Sequence, residues 1–428
     1  MTAQRPAVGD RRVLVPDAPA AGGAAAARTE DGVVFVDGAL PGETVEVELT
    51  QVKKRFARAR VTSVVAPSEH RVPDRLAACG AAGVGGVEFA SVDLAYSRRL
   101  KAEAARQQLE RIGGIEWDLR VSSLPREADG GSGMDWRTRV QLAVGPDGQP
   151  GLRAGGSHRV VPVSRIPLAV DELNDLGLHR QTLPGLSRLE LVASAGGGAI
   201  IAVGQPKEAV LGKLREIAAA QPGAWSVLLR TEGKRNRGRP APPQVLAGTG
   251  RVREEVRGQR FGLDADGFWQ VHVDAADVLS AKVLEFASRP QSALDLYCGA
   301  GLFSVFLAKA GATKVTGIEG SQAAIQSARA NAEGLPAKFE VGRIEKLGML
   351  PPADTVVLDP PRAGAGEDVV NTIGASAAGR VVYVSCDAGT FARDARGLLD
   401  CGFELAHLEG WDAFPLTKHT EFTAVFTR

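Results

Sequence analysis

From about Arg257 onward the chain alternates short β-type stretches with helical ones, and that alternation leaves few folds open to it. Candidate strands at 293–297, 314–319, 338–341, 355–359 and 380–385 are separated by helical stretches at 302–310, 321–333 and 391–399. Two more strands, 404–409 and 422–427, close the chain. Strands joined through helices run parallel, because the chain must cross back over the sheet before it can pair again. The expected fold class is therefore α/β, a Rossmann-like sheet covered by helices, with ligands bound at the carboxyl ends of its strands.

A chain of 428 residues is too long for one ordinary domain and suits two or three. Residues 1–70 read as a small β-barrel. Gly32-Val33-Val34-Phe35-Val36-Asp37-Gly38 is a short strand between turn residues, and Thr44-Val45-Glu46-Val47-Glu48-Leu49 alternates apolar and charged positions. A third candidate strand, 58–65, follows the basic turn Lys53-Lys54-Arg55. Residues 71–256 read as a central α+β domain: a helix over 94–112 ended by Gly113-Gly114, a polar loop at 126–133, then strands and short helices from Trp136 on. A second basic segment, Lys234 to Pro240, lies in this region. Residues 257–428 form the third domain.

Composition matters for what it excludes. An apolar share of 44% and a charged share of 24% describe a globular protein. The 51 Lys and Arg balance the 50 Asp and Glu, so any surface for a polyanion must come from local patches. Cys79, Cys298, Cys386 and Cys401 are scattered without metal-ligand spacing, and no disulfide framework is expected. The N-terminus lacks the order of a signal peptide, and no apolar run is long enough to span a bilayer. A cytoplasmic monomer is the expectation.

The strand ending Leu294-Asp295-Leu296-Tyr297 runs into Cys298-Gly299-Ala300-Gly301 and a helix, so the backbone can approach a ligand closely. Glu319 ends the next strand, where an acid can receive ribose hydroxyls. Phe303-Ser304 stands where a dinucleotide fingerprint needs its third glycine, and no basic residue waits for a pyrophosphate. A charged nucleoside without phosphates fits this turn better. On its own, Glu319 could equally be an exposed strand-end acid, and Asp295 could serve only to fix the turn.

Two later segments carry more. Asp359-Pro360-Pro361-Arg362-Ala363-Gly364 ends the fourth strand, and Tyr383-Val384-Ser385-Cys386-Asp387 with Thr390 ends the fifth. With Phe414-Pro415-Leu416-Thr417-Lys418-His419-Thr420-Glu421 and Phe268-Trp269-Gln270-Val271-His272, this set closely resembles the RNA uracil-5-methyltransferase family over nearly the whole chain. Residues 7–66 are similar to a TRAM domain, an RNA-binding barrel, and 136–255 to the family's central RNA-recognition domain.

The resemblance implies methyl transfer from S-adenosylmethionine to carbon 5 of a uridine in RNA, with ribosomal RNA favoured over transfer RNA. It implies Cys386 as nucleophile, Glu421 as base, and Gln270, Tyr297, Glu319 and Asp359 as cofactor contacts. The chemistry needs these groups. Uracil carbon 5 becomes nucleophilic only after a thiolate adds to carbon 6, and a carboxylate must then take the carbon-5 proton. Arg362 is the candidate cation beside the thiolate, and Asp359 would stand between donor and base, orienting one or both. The base must be flipped from its stack. Ala300 stands where the family commonly has Asn, and Arg343 where some relatives have a cofactor-contacting Asn, so one or two cofactor hydrogen bonds differ from the pattern.

Alone, a strand-end cysteine reads as a small buried hydrophobe. Its neighbours set Cys386 apart, while Cys298 keeps the core reading and Cys401 that of a helix cap. His419 reads as positional, and Trp269 and Trp411 as core or rim. Many relatives hold an iron–sulfur cluster with four cysteines, whereas here Cys79-Gly80-Ala81-Ala82-Gly83-Val84-Gly85-Gly86-Val87 keeps one and Ile166 takes the fourth position. No metal or iron–sulfur cluster is expected. The rival readings are an RNA cytosine-5-methyltransferase, which typically has a cysteine inside the fourth-strand motif, and an RNA-binding pseudoenzyme.

Overall fold

The computed structural model describes residues 6–128, 130–233, 235–236 and 239–428. Lys234, Arg237 and Gly238 of the second basic segment lie outside the described residues.

The C-terminal part is built on an eight-stranded sheet. Its order is Ala337–Val341, Lys314–Glu319, Ser292–Leu296, Thr355–Leu358, Arg380–Ser385, Glu421–Thr427, Glu404–Asp412 and Val121–Ser123. The first five run parallel, and Glu421–Thr427 pairs antiparallel with both of its neighbours. The chain leaves Ser292–Leu296 for one side of the sheet and later returns to its other side through Thr355–Leu358. That reversal opens a crevice at the carboxyl ends.

The strands explain their own burial. Successive side chains alternate faces, so Ala293, Val357, Val382, Val384 and Val425 point into one core, with helices Ala275–Ala287, Leu302–Lys309 and Gln322–Asn331. Leu294, Leu296, Val356, Leu358, Val381, Tyr383 and Phe426 point into the other, with helices Glu367–Gly374 and Ala388–Asp400. Burial on both faces is what makes these strands read as continuous apolar runs.

The N-terminal part is a six-stranded sheet ordered Arg11–Leu14, Thr44–Val52, Phe56–Ala66, Gly32–Asp37, Ala25–Thr29, Ala18–Pro19. Three register shifts between Thr44–Val52 and Phe56–Ala66 bend it around Val34, Val36, Val45, Val47 and Leu49. The central part is a seven-stranded sheet with Leu186–Ser194 and Gly197–Gly204 at its middle and helix Glu208–Ala219 packed beside it.

Two segments that the sequence reading groups with the centre pack elsewhere. Helix Leu94–Gln108 continues into a wider turn, Leu109–Gly113, and its Ala105, with Leu109, is buried in the C-terminal core; Val121–Ser123 adds the last strand to the sheet. The ribbon Arg251–Val256 with Gln259–Asp264 buries Val252, Val256, Phe261 and Leu263 against the same domain, so a cut at 256 falls inside a hairpin. The sequence also leaves helices Ala275–Ala287 and Glu367–Gly374 unmarked. The strand expected from Trp136 begins only at Arg139, because Trp136 is wholly buried and Arg137 bridges to Ala169 and His272 instead.

Candidate active site

The strand register assembles the site. Leu296 lies beside Ile318 and Leu358, so the next residues, Tyr297, Glu319 and Asp359, emerge together at one edge. Leu358 lies beside Tyr383, and Ser385 pairs with Phe422. Cys386 and Glu421 are the next residues along these two antiparallel segments, and both line one cavity. Residues 35 apart in sequence thus become neighbours through one pairing.

Local chemistry fixes each turn. Asp387 caps helix Ala388–Asp400 by accepting the Thr390 N–H at 2.9 Å, which sets the bend immediately after Cys386. The Thr390 hydroxyl donates to the Arg362 carbonyl at 3.2 Å, and Arg393 donates to the Ala363 carbonyl at 2.9 Å. Buried Asp394 accepts the Ala365 N–H at 2.7 Å and the Tyr383 hydroxyl at 2.7 Å. The Asp359-Pro-Pro-Arg loop is therefore held from the helix that follows the cysteine. Tyr297 takes a left-handed conformation, φ 62°, at the strand-to-turn junction, a conformation costly for a non-glycine residue that persists only where its surroundings enforce it.

One cavity of about 940 Å³ collects all six expected site residues: Gln270, Tyr297, Glu319, Asp359, Cys386 and Glu421. Gln270 reaches across to donate to Asp359 at 3.3 Å. A smaller cavity of about 160 Å³ reaches Cys386 from between the N-terminal sheet and helix Leu94–Gln108.

The electrostatics differ from the simple expectation of a thiolate held by Arg362. Burial, followed by the Glu421 and Asp359 carboxyls, pushes the Cys386 thiol up to about 12, and Arg362 opposes this without overcoming it. Burial, then Asp359, also holds Glu421 well above the usual carboxylate range. Asp359 is raised to about 7, chiefly by burial and then by Asp295. Cys386 therefore rests as a thiol.

The residues fit S-adenosylmethionine. Glu319 keeps one oxygen on the Ser321 N–H, 2.7 Å away, at the place a ribose would occupy. The Tyr297 hydroxyl is buried without a hydrogen-bond partner. Carboxylates rather than cations dominate the floor, which suits a sulfonium. The turn itself is braced by Asn331, which donates to the Ala300 and Gly262 carbonyls at 2.9 and 3.2 Å, so Ala300 needs no side chain to hold it. Arg343 lines the same cavity.

Arg137 and Phe268 also line the cavity and were not singled out from the sequence. Arg137 is lodged over the Trp136 ring, 5.7 Å from its centroid, and spends its Nε–H on the Arg139 carbonyl at 2.8 Å. Burial and then the nearby Arg362 charge lower its hold on its proton, which marks two cations facing one space. Phe268 is 74% exposed at the rim. Arg137 lies ahead of the strand that begins at Arg139, and nothing along the chain marks it as a cavity residue.

Other expectations resolve plainly. Cys298 is buried in the core, and Cys401 caps helix Ala388–Asp400. Trp269 is core and Trp411 half-buried beside it. Cys79, Val163 and Ile166 are buried together, with Val84 and Val87 packed against them. Gly85 lies so close to Gly155 that a Cβ there would come within 2.8 Å of its Cα. Among the described residues no group of three His, Cys, Asp or Glu gathers to hold a metal.

A parallel sheet with this Gly turn, an acid at the next strand end and a cavity at its carboxyl edge defines a Rossmann-like domain that binds a nucleoside-type cofactor. Comparison with known proteins agrees. Residues 10–62 match the TRAM domain family, 293–359 the methyltransferase domain family, and 346–428 the tRNA (uracil-5-)-methyltransferase family. An uncharacterised RNA methyltransferase of Streptomyces coelicolor is 33% identical, covering 94% of this chain and 90% of its own. One from Corynebacterium efficiens is 34% identical over 98% and 95%. The crystal structure of Pyrococcus abyssi tRNA (uracil-54, C5)-methyltransferase in complex with S-adenosyl-L-homocysteine has the same fold, with TM-score 0.72, 23% identity and coverage of 98% of this chain and 100% of that one. The chain belongs to the RNA uracil-5-methyltransferase family and is an S-adenosylmethionine-dependent RNA methyltransferase.

Proposed function

We propose that this enzyme methylates carbon 5 of a uridine in RNA through a covalent adduct on Cys386. The observation that carries the proposal is that Cys386 and Glu421, the residues next to the Ser385–Phe422 pair, line one cavity with Asp359. Gln270, Tyr297, Glu319 and Asp359 would hold S-adenosylmethionine, which supplies an electrophilic methyl group. Cys386 passes its proton to solvent as its sulfur bonds to carbon 6 of the flipped base, and the ring electrons move to carbon 5. After carbon 5 is methylated, Glu421 as carboxylate takes its proton, and the carbon–sulfur electrons return to sulfur as the double bond re-forms. Arg137 and Arg362, two cations at the cavity, suit a phosphate of the flipped nucleotide.

The resemblance favours ribosomal RNA as substrate, while the matching family and solved structure are named for transfer RNA, and the trapped RNA distinguishes the two. The nucleophile must stay a free thiol, which suits a reducing cytoplasm. No helix among the described residues is long and apolar enough to cross a membrane. A monomer is the simplest assembly.

The test is mechanism-based trapping. The protein is incubated with 5-fluorouracil-substituted total RNA and S-adenosylmethionine, then denatured. Fluorine cannot leave as a proton, so the adduct should persist in the wild type and vanish in Cys386→Ala. Sequencing the trapped RNA identifies the nucleotide and separates ribosomal from transfer RNA. No adduct from a protein that binds the cofactor would refute the covalent uracil mechanism.

A further inference from the structure

Glu127 and His272 form a buried pair that the methylation chemistry does not use. The imidazole Nε2 and the carboxylate Oε2 are 3.2 Å apart, with side chains 0% and 1% exposed for His272 and Glu127. The other imidazole nitrogen is committed too: the Asp274 N–H donates to Nδ1 at 3.1 Å. A nitrogen that accepts carries its lone pair, so the ring proton sits on Nε2 and is donated to Glu127. His272 also stacks on Trp136, with ring centroids 5.4 Å apart and planes 15° apart.

The pair sits where regular structure is missing. Residues 268–274 belong to no helix or strand, yet they carry Gln270 to the cavity. Three backbone-anchored bonds hold the stretch from the central sheet side: the Thr138 N–H and hydroxyl both donate to the Val271 carbonyl, at 2.8 and 3.1 Å, and the Val273 N–H donates to the Trp136 carbonyl at 3.0 Å. From the other side the short helix Pro125–Ala128 grips it twice, through Glu127 on His272 and through the Arg126 N–H on Asp274 at 2.8 Å. The Glu127 contact is the side-chain grip two residues from Gln270.

We propose that Glu127 and His272 are positioning residues that set Gln270 against Asp359 and thereby the cofactor-binding wall. The proposal rests on Gln270 being a cofactor contact, and the experiment separates the two. The affinity for S-adenosylhomocysteine is measured by calorimetry on the full chain, with thermal unfolding in parallel. Gln270→Ala and Glu127→Ala should each weaken binding about tenfold, the worth of one well-made hydrogen bond. Glu127→Gln, whose amide oxygen still accepts from Nε2, should stay within about twofold. Gln270→Ala combined with Glu127→Ala should bind no more weakly than Gln270→Ala alone, because groups acting through one contact are not additive.

A merely structural pair would lower the unfolding temperature and leave the cycle additive. Unchanged binding in Gln270→Ala removes the cofactor reading of Gln270 and the proposal with it. A weakened Gln270→Ala beside an unaffected Glu127→Ala, or fully additive losses, overturns the positioning role alone. Should Glu127→Ala not fold, His272→Asn takes its place in the same cycle, with the same outcomes.

Discussion

Cys386 stands among acids, and its protonation follows from that. A thiol held up at about 12 by burial, Glu421 and Asp359 is not a ready nucleophile in the free enzyme. Raising the pH increases the thiolate fraction about tenfold per unit while the group remains mostly protonated. Alkylation of Cys386 by iodoacetamide, followed by mass spectrometry, should therefore climb through pH 9 without a plateau, and a plateau near neutrality would contradict the charge arrangement. Substrate must change this balance. Arg137 and Arg362 line the same cavity as the sulfur, and in the proposed mechanism the thiol gives up its proton only as the carbon–sulfur bond forms. The same residues explain legibility: Asp387 and Thr390 beside Cys386 are a helix-capping pair, so a local signature in sequence encodes a local turn.

At the scale of elements, helix Leu94–Gln108 is tied to the loop that delivers Glu421. Lys101 donates to Asp412 at 2.5 Å and to the Phe414 carbonyl at 3.1 Å, with both charged side chains 1% exposed. Removing Lys101 leaves buried Asp412 with only Arg98, 3.9 Å away, as a charged partner, which costs toward the lower end of about 3–5 kcal/mol. Lys101→Met should lose about that much in urea unfolding, and adding Asp412→Asn should return part of it. A loss below about 1 kcal/mol would show that the pair is dispensable. Nothing in the sequence joins residues 101 and 412: the contact exists because the helix packs on the C-terminal sheet and not on the central one.

Over the whole molecule, the N-terminal sheet and the catalytic cavity sit on one chain with no excess of positive charge, 51 basic against 50 acidic residues. RNA affinity must then come from patches, and the basic turn Lys53-Lys54-Arg55 is the candidate. Changing all three to Glu should weaken RNA binding and flatten its dependence on salt, since fewer counterions are released. S-adenosylhomocysteine binding should stay unchanged. An unaltered salt slope would place the RNA elsewhere.

What the sequence by itself determined was the alternating α/β plan, the Gly turn, and the identity of the six residues expected at the site. Those signals are local: apolar periodicity, turn residues and short motifs survive in one dimension. Tertiary structure alone decided three things. It brought Cys386 and Glu421 to one cavity, because strand register is a pairing of distant segments. It moved helix Leu94–Gln108 and the ribbon 251–264 into the C-terminal core, because an apolar face does not say which partner buries it. It also raised the protons on Cys386, Glu421 and Asp359, because desolvation and charge proximity are properties of packing and have no counterpart along the chain.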